Sequence, residues 1–159
     1  MKPSFLLLAC ALPAAALPGC ADGHGEESPS PVPTAAAPAA MSAIMKLPEA
    51  PADAAAHLQA ASKDGPIAVF KHSPICPVSA SAQHRFHTWM KTDEAATGLQ
   101  HAQIDVIAEK PLARGLVAEL GVQHESPQLL LFHGGELIWH ASHGAITGEA
   151  LTEQLAGLE

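Results

Sequence analysis

Apolar residues in the last two thirds of the chain recur with two different periods, and the period changes at glycine and proline. Ala52 to Ser62 is alanine-rich and helix-prone, and it ends at the breaker Asp64-Gly65-Pro66. Ile67 to Phe70 is a short apolar run of strand type. Val78, Ala82, Phe86, Trp89 and Met90 follow at offsets of four, four, three and one, the spacing of one helix face. Ala102, Ile104 and Val106 alternate with polar residues and predict a second strand. Pro111 opens another helix, with Leu112, Leu116, Val117 and Leu120 on its apolar face, and Gly121 closes it. The continuous run Leu129 to Phe132, then Gly134-Gly135, then Leu137 to Trp139 predicts a hairpin. Thr147 is placed to cap a last helix carrying Leu151, Leu155 and Leu158.

The order helix, strand, helix, strand, helix, strand, strand, helix belongs to the α/β class. Alternation demands parallel pairing of the first strands, and the hairpin makes the last pair antiparallel. The expected architecture is a mixed four-stranded sheet with helices on both faces, spanning residues 48–159.

The segment before Pro48 has neither period. Residues 1–20 carry one basic residue, Lys2, an apolar run from Phe5 to Leu17 and small residues before Cys20, the grammar of an export signal. Leu17-Pro18-Gly19-Cys20 resembles the bacterial lipobox, in which the cysteine is lipidated and becomes the new N-terminus. Several acyl chains at about 0.8 kcal/mol per buried methylene anchor a protein durably. Residues 21–47 are rich in Ala, Pro, Ser and Gly and read as a disordered tether that holds the domain on the order of 30 Å from its anchor. The expected location is therefore outside the cytoplasm, on a membrane facing the periplasm or the cell exterior, with contact to lipid only through Cys20.

Charge narrows the partners further. Eight Lys and Arg against sixteen Asp and Glu give a formal charge of −8, which repels phosphate backbones and offers anionic lipid no polybasic patch. Nucleic-acid binding is disfavoured, and no nucleic-acid partner is expected. Three cysteines in 159 residues are too few for a disulfide-stapled scaffold, so a packed core must stabilise the fold.

With Cys10 leaving in the signal and Cys20 lipidated, the mature domain keeps one thiol, Cys76, in Lys71-His72-Ser73-Pro74-Ile75-Cys76-Pro77-Val78-Ser79. This stretch follows a strand and precedes a helix. Pro77 suits the first helical position, since its missing N–H would have no partner there, and that puts Cys76 at the N-cap. Free amides and the positive end of the helix dipole favour a thiolate there, the form that attacks disulfides. Ser79, at the third helical position, can donate to the thiolate or cap the helix but cannot resolve an adduct. A second element is Ser126-Pro127, directly before the apolar strand.

Together these blocks resemble the thioredoxin fold and, more narrowly, the monothiol bacilliredoxins of the YtxJ type. The resemblance is carried by FKHSPICPVS at 70–79, IDVIAEKP at 104–111, GVQHESPQLLLF at 121–132 and ELIWHASHGAIT at 136–147. It implies that Cys76 is the nucleophile, that Ser79 takes the place of the second cysteine of a CxxC motif, and that Pro127 is the cis-proline facing the thiol. His72, Ile75, Pro77 and Ser126 become the residues expected to meet substrate. The implied activity is exchange on mixed disulfides between client proteins and bacillithiol, a low-molecular-weight thiol that acts as co-substrate; no other cofactor is implied. Two features depart from the family: Ile75 stands where a hydroxyl residue is usual, and the family normally lacks an export signal.

Nine of the ten histidines lie in the folded unit, which opens a competing reading as a copper- or zinc-handling module built on Cys76 and imidazoles. His72, His84, His87 and His124 are the nearest in sequence, but their spacing matches no closed metal motif, and His84 lies about 12 Å down its helix from Cys76. No metal ligand is assigned. A thioredoxin-like binding domain without turnover is the third reading.

Overall fold

Proline and glycine punctuate the folded chain largely where the pattern expects them. The computed structural model describes residues 43–158. The export signal, Cys20 and nearly all of the tether lie outside the described residues. Eight elements follow in the expected order: α1 Pro51–Ala61, β1 Ile67–His72, α2 Pro77–Thr92, β2 Gln100–Asp105, α3 Lys110–Glu119, β3 Gln128–His133, β4 Glu136–Ser142 and α4 Gly148–Ala156. Two single 3-10 turns, Glu94–Ala96 and His143–Ala145, are additional. All three longer helices have proline in the first turn, and Thr147 caps α4 by accepting from the Ala150 N–H at 3.2 Å.

The sheet order is β2-β1-β3-β4, with β1 parallel to β2 and antiparallel to β3, and β3 antiparallel to β4. Gly134 and Gly135 both have positive φ, the backbone demanded by a two-residue hairpin turn. A bulge between Leu131 and Phe132 sends Leu137 and Trp139, two residues apart, to opposite faces of the sheet.

Alternation along the strands feeds two cores. Ile67 and Val69, with Ala102, Ile104, Leu130 and Phe132, pack beneath α1 and α3; Ala68 and Phe70, with Leu129 and Leu131, pack beneath α2 and α4. Gly115 lies inside α3, where glycine costs about 1 kcal/mol relative to alanine. A Cβ there would stand 2.7 Å from the Pro51 Cβ, so the glycine lets α1 and α3 approach. The fold also takes in residues ahead of the expected start at Pro48. Met45 donates its N–H to the His101 carbonyl at 2.7 Å and bridges beside β2, and Leu47 packs on the α1/α3 core.

Candidate active site

The functional end of the molecule is the carboxyl end of β1. The chain leaves the sheet at His72, turns through Ser73–Ile75 and enters α2 at Pro77, so Cys76 falls at the N-cap with extended backbone, φ −103° and ψ 118°. Its N–H donates to the Ser73 carbonyl at 3.2 Å, and its own carbonyl accepts from Ala80 at 3.0 Å, closing the first helical turn. The thiol is half-buried and free, and it is the only cysteine among the described residues. Pro77 has no N–H, while the amides of Val78 and Ser79 belong to the first turn, which has no intrahelical acceptors.

The rim is apolar. Ile75 is 81% exposed and Val78 52% exposed, on either side of the cysteine. Val78 was expected on the buried face of α2; a residue at the second helical position has no facing element to cover it, and it projects from the rim instead. Ser79 is the converse case. It is fully buried, and its Oγ accepts from the Ser73 N–H at 3.0 Å, bracing the loop from within; it makes no cap bond at Cys76. The hydroxyl proton of Ser79 is left to donate.

The proline segment reaches the same end of the sheet. Lys71 is in register with Gln128, so the residues after Lys71 lead to Cys76 while those before Gln128 are Ser126 and Pro127. The Ser126-Pro127 bond is cis, and Pro127 is buried. Ser126 is half-buried, and its Oγ has no protein partner among the described residues. His72 faces the α2 side, in register with Asp105, and its carbonyl accepts from Val106 at 2.9 Å.

Lys71 is the residue that periodicity did not single out. It lies on the same side of β1 as Ile67 and Val69 and is completely buried, its Nζ donating to Gln128 Oε1 at 2.6 Å and to His124 Nδ1 at 3.0 Å. Accepting at Nδ1 puts the imidazole proton on Nε2. Burial pushes the Lys71 amine down to about 8, opposed by the negative charge of Glu125. His124 is lowered by burial and then by the Lys71 charge. The signal was present in the strand's period of two, which assigns position 71 to the core.

The remaining histidines divide. His87 and His101 face each other edge-on with ring centroids 6.2 Å apart, against Phe86. His101 is fully buried, and both are lowered by desolvation first. His84, by contrast, remains on the exposed side of α2. Among the described residues no three His, Cys, Asp or Glu side chains gather at metal-binding distance.

Comparison with known proteins agrees with this geometry. A solved structure described as having a thioredoxin fold is 28% identical, with a TM-score of 0.53, covering 63% of this chain and 86% of its own. The thioredoxin of Fasciola hepatica, at 17% identity, gives a TM-score of 0.53 over 72% of this chain and 100% of that one, a likeness of fold. The family described as monothiol bacilliredoxin BrxC matches residues 50–151, which takes in the Cys76 loop, the Pro127 segment and nearly all of the sheet and its helices. The chain belongs to the monothiol bacilliredoxin family, a thiol–disulfide redox family, and is built on a thioredoxin fold.

Proposed function

We propose that Cys76 acts as a lone nucleophile on mixed disulfides between client proteins and a low-molecular-weight thiol of the bacillithiol type. One observation carries the reading: where a dithiol motif would place its second cysteine, a buried Ser79 is tied to the Ser73 amide. With no second thiol among the described residues, Cys76 has no partner there for an internal disulfide.

The cycle then has two exchanges. The Cys76 thiolate attacks the small-thiol sulfur of the client's mixed disulfide; a new S–S bond forms on Cys76, the old one breaks, and the client leaves as a thiolate that takes up a proton. A second molecule of small thiol, as thiolate, attacks the adduct and leaves as the symmetric small-molecule disulfide, restoring Cys76. The client sulfur is reduced and one small thiol is oxidised, the other half of the released disulfide having arrived already oxidised in the mixed disulfide. Ile75 and Val78 supply an apolar rim for the incoming client, Pro127 and Ser126 stand at the same end of the sheet to meet it, and His72 and Pro77 shape the loop.

Replacing Cys76 by Ser should abolish release of a bacillithiolated or glutathionylated test protein while circular dichroism stays native; undiminished release would refute the assignment. Mass spectrometry of Cys76 from the native host names the physiological thiol by the mass of its adduct. Export and anchoring at Cys20 belong to the same proposal, and palmitate labelling lost in Cys20→Ala is the expected sign of it.

A further inference from the structure

The two exchange steps make no use of the polar cluster under the proline segment. Burying a lysine is costly, and lysine is almost never fully buried unless paired. Ile67 and Val69 on the same side of β1 show that an apolar residue at position 71 would join an existing core. Replacing a buried polar pair with apolar residues is often neutral or stabilising, so the cluster is poorly explained as a source of stability.

Its wiring suggests another role. The Gln128 carboxamide accepts from Lys71 at 2.6 Å and from the Glu125 N–H at 3.4 Å, and donates through Nε2 to the Gln123 carbonyl at 3.0 Å. Lys71 also holds the His124 ring through Nδ1. Three consecutive loop residues, Gln123, His124 and Glu125, are thus fastened to one ammonium and one amide. Lys71 itself sits on a central strand paired on both sides, which gives the fastening a fixed base.

We infer that Lys71 is a positioning residue of the exchange site, fixing through Gln128 and His124 the segment that carries Ser126 and Pro127 beside Cys76. The inference rests on the proposed exchange function, because that function gives the segment a client to meet. A lysine suits the task better than a single-donor residue: its ammonium offers three N–H groups and reaches a ring and a carboxamide at once.

The test is the double variant K71M/Q128L, which replaces both partners by apolar side chains, compared with wild type and with Q128E, which keeps an acceptor for the ammonium. Four readings are taken: thermal melting, amide hydrogen exchange across residues 123–128, alkylation of Cys76 by iodoacetamide, and steady-state release of a glutathionylated client. The double variant is expected to melt near wild type and to alkylate at the wild-type rate, since a small reagent does not need the segment. Protection of the loop amides should fall about tenfold, with KM for the client up about tenfold and kcat changed less than about threefold. Q128E keeps the Lys71 link but loses the Nε2 donation to the Gln123 carbonyl, so its protection and KM should fall between those of the double variant and wild type. A folded double variant with wild-type loop protection and wild-type KM overturns the inference. Where the double variant does not fold, K71M alone, which leaves Gln128 bonded to Gln123 and Glu125, is read by the same criteria. If wild type itself releases no client, the exchange function fails, while loop exchange still decides whether Lys71 holds the segment.

Discussion

The two faces of the sheet bury polar groups in opposite ways. Under α1 and α3, Lys71, Gln128 and His124 are joined by hydrogen bonds, and each link leads toward the proline segment. Under α2, His101 lies against Phe86 with both ring nitrogens unpartnered among the described residues, as are His87 Nε2 and Gln103 Nε2. A partnered cluster dictates one arrangement of the chain around it, whereas unpartnered imidazoles are tolerated only while neutral. The first face therefore specifies geometry, and the second stores a sensitivity to acid.

The largest effect that would separate these roles is breaking the partnered cluster on one side only. Gln128→Leu leaves the Lys71 ammonium buried with His124 as its remaining acceptor, and should cost about 1.5 to 3 kcal/mol in urea unfolding. The double change K71M/Q128L should recover most of that loss. If the single substitution is harmless, the contrast between the faces has no energetic content.

A pH scan of melting temperature sharpens the same contrast: the α2 face responds to acid through His101 and His87, whereas the Lys71 face responds to alkali through Lys71 and to acid through His124. His101 and His87 are lowered from their ordinary value of 6.5, chiefly by burial, so below that pH the unfolded chain takes up protons that the folded chain refuses, and stability falls with falling pH. His87 also feels Lys91, His72 and His84, all cationic or able to become so. Lys71 is lowered from 10.5 to about 8, with His124, Glu125 and Gln128 around it; between those values the folded state binds fewer protons, so its contribution makes stability rise with pH. His101→Leu should shrink the acid loss, and K71M should flatten the alkaline rise. Curves of unchanged shape in both variants would show that neither group titrates as its surroundings require.

Strand and helix order was legible because periods of two and of 3.6 are imposed by packing, which selects residues on one side of each element. Ile67 to Phe70, Phe86 to Met90 and Leu112 to Val117 all lie in the elements their spacing predicts. The site's cysteine was legible from Pro77, a residue with a strong positional meaning. Polar residues inside the core were not. The apolar run ends at Phe70 although β1 continues through Lys71 and His72, because a lysine interrupts a hydrophobic pattern whether its amine is solvated or bonded. His101 fell just ahead of the alternation that began at Ala102, and Ser79 gave no sign that its hydroxyl would be turned inward. Lys71 finds its acceptor on Gln128, 57 residues away, and pairing at that distance leaves no local pattern, while Ser79 is turned inward by a loop amide only six residues before it.

The smallest predicted effect lies at the site itself and calibrates the others. Ser79 is partnered, as the Lys71 cluster is, but through a single bond to the Ser73 amide in a half-exposed loop. Ser79→Ala removes that bond and leaves one N–H for water to reach, so unfolding free energy should drop by about 1 kcal/mol. Exchange should stay within about threefold of wild type, since the helix start and the Pro127 segment are held by other contacts. The discriminating measurement is client release by Ser79→Ala at matched folded fraction. A loss approaching that of Cys76→Ser would mean that the hydroxyl proton meets the sulfur or the leaving group during exchange, making Ser79 a chemical participant rather than a brace.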